Sequence, residues 1–336
     1  MHKIGVIGAG SWGTSLALLL AGKSLEASLW GHRADHVKAL QNDRENRAYL
    51  PGFPFPETIY PTTSIEQAVA DADVVLMVVP SHGYRAVFKQ VAACAPGGAV
   101  FVSATKGIEN DSLKTMTQVM AECCDDENRS PAPLAVLTGP SFAREVAQCV
   151  PTAVTIGCGE SQAARRLQKL FSASFFRVYT STDVVGLEIS AALKNIIAVA
   201  AGICDGLEFG TNARAALITR GLAEMTRLGI KLGAEQQTFF GLSGLGDLVL
   251  TCTGALSRNR HVGIELGRGK TLDEVLSSMS MVAEGVKTTK SVYDMAEELK
   301  VDMPILEQVH QVLYYNKDCR TAVGDLLGRA LKPENE

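Results

Sequence analysis

Lys194 stands in a stretch from Gly186 to Gly202 whose only other polar side chains are Glu188, Ser190 and Asn195. On a helix it shares a face with Ser190, Ala191, Ile197 and Ala198, which offer little to solvate an ammonium group. Burying a lysine is costly unless it is paired, and desolvation lowers its pKa toward neutrality. A lysine so placed can hand a proton to a carbonyl oxygen as hydride reaches the carbon, and can take it back in reverse. The plainer reading is a lysine whose stem lies along apolar surface while its head reaches water or a helix end.

Gly8-Ala9-Gly10-Ser11-Trp12-Gly13 has the spacing G-x-G-x-x-G, follows an apolar run at 3–7 and opens a helical run at 14–21. That order suits a dinucleotide. The first glycine makes a tight turn, the second lets the backbone approach a pyrophosphate, and the third packs helix on strand. Free N–H groups at the helix start and the positive end of its dipole then face the diphosphate. Selectivity is expected about 20 residues on, where an acid would hold a ribose 2′-hydroxyl. Here the chain reads Trp30-Gly31-His32-Arg33, with no acid. A cation favours a 2′-phosphate, so NADPH is the expected preferred cofactor, with NADH still admissible; otherwise Arg33 is a solvated surface charge.

Other clusters suit an anionic substrate. Gly241-Leu242-Ser243-Gly244-Leu245-Gly246-Asp247 reads as a flexible glycine-rich segment ending in an acid. Ser257-Arg258-Asn259-Arg260 follows it, with donors dense enough to clamp a phosphate. Thr105-Lys106-Gly107 and Gly139-Pro140-Ser141 each follow an apolar run, at the carboxyl edge where open sheets bind ligands. Each of these taken alone is equally a turn or a solvated face.

The elements that must carry these residues fall into two halves. Apolar runs at 3–7, 26–30, 73–79, 99–104 and 134–138 read as strands buried on both faces. Helical patterns at 14–21, 34–40, 84–94 and 112–122 alternate with them, which implies parallel βαβ units and a doubly wound sheet. Runs at 151–156 and 175–179 extend that sheet, with a helix at 163–170 between them. After Thr180-Ser181-Thr182-Asp183, a cluster of helix-capping types, only helical patterns remain: 185–203, 212–232, 272–279 and two more. The expected domains are therefore 1–182 and 183–336.

Composition narrows the class. The 336 residues carry a net charge of −4, which argues against nucleic acid or an anionic membrane as the main partner. Eight cysteines form no C-x-x-C pair and six histidines show no metal-ligand spacing, so a metal-free protein with free thiols is expected. The apolar run at 189–204 is short and holds Lys194 and Asn195, so a buried helix is expected rather than a membrane span. Glycines interrupt the first apolar run, unlike a signal peptide, and the expected location is cytoplasmic. Apolar stripes in the helical half would serve a homodimer or their own core equally.

Seven motifs in order carry a resemblance over nearly the whole chain. They are Gly8–Thr14, Thr105-Lys106-Gly107-Ile108-Glu109, Gly139-Pro140-Ser141-Phe142-Ala143, Leu193-Lys194-Asn195, the run from Asn212 to Gly221, Gly244-Leu245-Gly246-Asp247-Leu248 and Ser257-Arg258-Asn259. Together they resemble the bacterial NAD(P)-dependent glycerol-3-phosphate dehydrogenases. The resemblance implies a Rossmann doubly wound sheet followed by an all-helical C-terminal domain, as in 6-phosphogluconate dehydrogenase. It implies reduction of dihydroxyacetone phosphate to sn-glycerol 3-phosphate, a precursor of phospholipids, with Lys194 as general acid/base and Asp247 beside it. Lys106, Gly139, Ser141, Lys194, Asp247, Ser257, Arg258 and Asn259 would line the substrate site. The cofactor would meet Gly8, Gly10, Ser11, Trp12, Gly13, His32, Arg33, Tyr49, Lys106, Ala143, Arg258, Val282 and Glu284.

A 3-hydroxyacid or 6-phosphogluconate dehydrogenase shares the layout and a helix lysine, but in the pattern G-x-x-x-K-x-x-x-N. Here Ser190 and Ala198 occupy the outer positions and Asn195 directly follows Lys194. A non-catalytic NADPH sensor would be expected to lose the lysine or the phosphate clamp, and both are present.

Overall fold

The structure, a computed structural model, describes residues 3–127, 133–279 and 283–334. Eight strands form one sheet: β1 (Lys3–Ile7), β2 (Glu26–Trp30), β3 (Ile59–Thr62), β4 (Val74–Met77), β5 (Val100–Ser103), β6 (Leu134–Thr138), β7 (Thr152–Cys158) and β8 (Phe176–Ser181). Their order is β3-β2-β1-β4-β5-β6-β7-β8, parallel from β3 to β6. β7 runs antiparallel to β6, and β8 runs parallel to β7. Central strands are buried on both faces because helices cover both: β4 reads Val-Val-Leu-Met with every residue buried. The strand order reverses between β1 and β4, and the crevice beyond their carboxyl ends is where such sheets bind ligands.

β3 has no counterpart among the expected strands, because Pro61 interrupts its short run. It lies at the sheet edge, where a missing N–H costs no ladder bond. The helix expected over 112–122 runs Met116–Asp126 instead, since Leu113 takes φ +56° and Thr115 with Gln118 forms a capping box.

From Val184 onward every element among the described residues is helical. The helix Val184–Gly206 is the axis of this half. Asp183 caps it, accepting from Gly186 N at 2.8 Å. Its 23 residues, with a mean hydropathy of 1.7 over the most apolar 18, make it long and apolar enough to cross a bilayer, which corrects the expectation that it is too short. Packing gives it another use, because 89% of its most apolar window is buried within the protein. Gly202 and Gly206 press it backbone-to-backbone on Gly263 and Gly267 of the helix Arg258–Gly267. A Cβ on Gly202 would lie 2.0 Å from Arg260 O, and one on Gly206 3.0 Å from Gly267 Cα. That close approach brings the amino end of Arg258–Gly267 beside the middle of the lysine helix. Toward the sheet, Glu188 of the lysine helix accepts from Thr117 N at 2.9 Å, at the start of the helix Met116–Asp126.

Candidate active site

Lys194 projects from the middle of its helix and is only 4% exposed. Its Nζ donates to Asp247 Oδ1 and to Thr251 Oγ1, each at 2.7 Å. The other carboxylate oxygen of Asp247 accepts from Lys106 Nζ, also at 2.7 Å, and Lys106 Nζ donates in addition to Gly139 O at 2.9 Å. Ser141 Oγ donates to the same carbonyl at 3.0 Å. One buried carboxylate thus holds two ammonium groups, one from each half of the chain.

The electrostatics follow from that count. Desolvation lowers the Lys194 pKa to about 8, against the attraction of Asp247 and with the help of Lys106. Burial alone would raise the Asp247 carboxyl. The two flanking ammoniums reverse that and leave its pKa below the usual carboxylate value. A lysine near pH 8 in a buried site is suited to exchange a proton with an alcohol or carbonyl oxygen at neutral pH.

The local backbone explains how Asp247 gets there. The segment expected to be a flexible glycine loop is ordered: Leu242–Gly246 forms a π-helical turn that runs into the helix Asp247–Thr253. Gly244 is forced by packing, since its Cβ would fall 2.1 Å from Phe239 O. On the helix, Asp247 and Thr251 stand one turn apart and face Lys194 together, and Thr251 Oγ1 also donates to Asp247 O at 2.6 Å. Thr251 went unnoticed in the sequence. Its place four residues after Asp247 was the available signal.

Ser257-Arg258-Asn259-Arg260 divides. Ser257 caps its helix, accepting from Arg260 N at 3.2 Å. Asn259 Nδ2 donates to Asn195 Oδ1 and its Oδ1 accepts from Gly285 N, each at 2.9 Å, which ties it to the residue after Lys194. Arg258 keeps part of its surface exposed, yet desolvation by the protein around it lowers its pKa against the attraction of Glu284. Arg260 is engaged elsewhere, its Nε 2.7 Å from Asp205 Oδ2, so the Arg-rich tetrapeptide is not one clamp.

The glycine loop divides its work as the spacing requires. Gly8 sits at φ +131° with β4's exit behind it, where a Cβ would lie 2.8 Å from Val78 C. A Cβ on Gly13 would lie 1.9 Å from Gly8 O, whereas one on Gly10 would meet nothing within 4 Å. The open side at Gly10, at the amino end of the helix Ser11–Ala21, fits a pyrophosphate. Trp12 Nε1 is buried without a hydrogen-bond partner. At the end of β2, His32 and Arg33 are exposed, and Arg33 Nε lies 3.6 Å from Asp35 Oδ1. Tyr49 packs edge-on to His36, ring centres 4.9 Å apart. Glu284 opens the helix Glu284–Leu299 and accepts from Ser81 Oγ at 2.8 Å, a contact between the two halves absent from the sequence reading. Ala143 opens the short helix Ala143–Ala147, half-buried. Val282 lies outside the described residues.

Two family profiles cover most of the chain: NAD-dependent glycerol-3-phosphate dehydrogenase N-terminus over residues 3–164, and its C-terminus over residues 183–324. The glycerol-3-phosphate dehydrogenase [NAD(P)+] of Desulfotalea psychrophila is 58% identical over 333 residues, 99% of this chain and 98% of its own. The chain belongs to the NAD-dependent glycerol-3-phosphate dehydrogenase family. The Citrifermentans bemidjiense relative of the same name is 53% identical over 99% of both chains. Among solved structures, the glycerol-3-phosphate dehydrogenase of Coxiella burnetii superposes with a TM-score of 0.94 at 40% identity, covering 98% of this chain and 99% of that one. Membership in this family makes the chain an NAD(P)-dependent oxidoreductase, and its fold is the expected mostly parallel sheet followed by helices.

Proposed function

We propose that the chain reversibly reduces dihydroxyacetone phosphate to sn-glycerol 3-phosphate, the activity its relatives' names carry, with Lys194 as the general acid/base. The observation behind this reading is the Lys106–Asp247–Lys194 relay, built on a buried carboxylate. The dinucleotide supplies hydride when bound. Residues 1–182 are the half that holds it, on Gly8, Gly10, Ser11, Trp12 and Gly13, with Tyr49, Lys106, Ala143, Arg258 and Glu284 completing its site. Residues 183–336 are the half that carries the proton donor. In the reducing direction Lys194 gives its proton to the carbonyl oxygen, and Asp247 keeps the ammonium oriented and charged until it does. Lys106 sits on the other side of the same carboxylate, able to leave it for the substrate. Gly139, Ser141, Ser257 and Asn259 line the substrate pocket, and Arg258, the exposed cation at a helix start, meets the phosphate.

His32 and Arg33 support NADPH over NADH, because the residues directly after β2 are Gly31, His32 and Arg33 rather than an acid for a 2′-hydroxyl, and the exposed Arg33 guanidinium, with Asp35 beside it, can meet a 2′-phosphate. The enzyme works in the cytoplasm, and its product enters phospholipid synthesis. The test is oxidation of NADPH on adding dihydroxyacetone phosphate, with 3-oxoacids as the contrast. No turnover with the triose phosphate ends this reading. For the cofactor, Arg33→Ala should lower kcat/KM for NADPH far more than for NADH, and an unchanged ratio removes the NADPH preference.

A further inference from the structure

Asn46 lies in the connection between the helix Ala34–Asp43 and β3, and it is fully buried at 0% exposure. A buried amide this far from any apolar purpose must spend its hydrogen bonds on something. Its Nδ2 donates to Ala9 O, inside the glycine loop, at 3.0 Å, and to Thr14 Oγ1, in the first turn of the following helix, at 2.8 Å. Its Oδ1 accepts from Tyr49 N at 3.2 Å and lies 3.1 Å from His36 Nε2. The Ala9 carbonyl can only accept and the Tyr49 N–H can only donate, so the amide has one orientation and His36 must carry its proton on Nε2. All four of the amide's hydrogen-bonding positions are then filled. No other side chain of this size offers two donors and two acceptors.

The four partners are not a random set. Ala9 and Thr14 bracket the backbone that the pyrophosphate would meet. His36 lies three residues beyond Arg33 on the element that would read the 2′ position, and Tyr49 packs on His36. We propose that Asn46 is a positioning residue for the dinucleotide, fastening the pyrophosphate loop to the segment that reads the 2′ end so that both meet the cofactor in one fixed geometry. This rests on the dinucleotide reading of the glycine loop but not on the identity of the substrate. A loop held rigid before binding does not have to be ordered by the ligand, so losing the fastening weakens cofactor affinity rather than chemistry.

The experiment is calorimetric titration of NADPH into the full-length protein and two variants, with steady-state kinetics alongside. Asn46→Ala removes all four bonds, and the NADPH Kd should rise roughly tenfold, the loss of one or two net hydrogen bonds. Thr14→Val keeps the shape and removes one acceptor, and should raise the Kd by roughly threefold. At saturating NADPH, kcat and the KM for dihydroxyacetone phosphate should stay at wild-type values in both. A merely structural asparagine would lower the melting temperature and leave the Kd and the KM split alone. If Asn46→Ala does not fold, Thr14→Val decides, and an unaltered Kd in it overturns the proposal. Wild-type protein that binds NADPH but never turns over the triose phosphate would remove the substrate reading and leave this one intact. Turnover by the wild type with unchanged NADPH affinity in both variants would do the reverse.

Discussion

Asp247 and Glu224 are carboxylates buried to nearly the same depth, at 1% and 2% exposure, both on helices of the same half. They titrate in opposite directions. Asp247 has an ammonium on each oxygen, and its pKa falls below the ordinary value although burial works against it. Glu224 has two backbone N–H groups, from Ile305 at 2.8 Å and Leu306 at 3.2 Å, at the start of the helix Pro304–Tyr315. Those dipoles do not offset its desolvation, and its pKa is pushed up to about 7. Depth alone therefore says nothing about the state of a buried acid in this protein. Full counter-charges hold one as an anion between two ammoniums, and helix-end dipoles make the other a neutral or titrating brace.

The severest way to break the comparison is to remove the cation that gives Asp247 its purpose. Lys194→Ala should lower kcat by roughly 10² to 10⁴, the usual cost of losing a general acid, with the fold retained. Near-normal turnover in a stopped assay at saturating substrates would demote Lys194 to a structural partner of Asp247.

Glu224 gives the next largest effect, on stability rather than rate. Its folded pKa of about 7 lies above the ordinary glutamate value of 4.5, so its protonated form is the favoured one in the native state. The stability this contributes is complete below pH 4.5 and is lost as pH rises through about 7. Glu224→Gln fixes a neutral group there. Relative to it, the wild type should lose about 3 kcal/mol between pH 4.5 and 8, at about 1.4 kcal/mol per pKa unit. Urea melts of both proteins at the two ends of that range measure it, and curves that stay parallel would mean Glu224 is ionised throughout.

How much of this was legible beforehand differs between the same two acids. The sheet was readable because central strands are continuous apolar runs, and β3 escaped only because Pro61 is tolerated at an edge. Lys194 stood out because a lone cation in an apolar helix is an energetic anomaly visible in one dimension. Asp247 was visible as an acid, but its glycines read as slack when they are in fact the close-packed π turn that aims it. Thr251, Asn46, Ser81 and Glu224 were not legible at all. Each is an ordinary residue in an ordinary local context, and its role comes from a partner 32 to 203 positions away. Arg260 shows the converse error, a cation whose neighbours suggested phosphate while Asp205, 55 residues upstream, already held it.

The finest test keeps every catalytic group but one and reads only the position of a titration. In the reducing direction Lys194 must start protonated, so kcat/KM for dihydroxyacetone phosphate should be flat below and fall above about pH 8. The two neighbours of Lys194 pull that limb in opposite directions. Asp247 raises the lysine's pKa, and Lys106, a like charge across the shared carboxylate, lowers it. Asp247→Asn should therefore move the alkaline limb to lower pH, and Lys106→Met should move it to higher pH. Both variants should lose some absolute activity, since both side chains belong to the charge cluster around Lys194, but a loss of amplitude does not displace a limb. Shifts of opposite sign can arise only if the two residues act on the same proton through charge. Shifts of the same sign, or none, would mean that the limb belongs to another group and that the relay is only a packing arrangement.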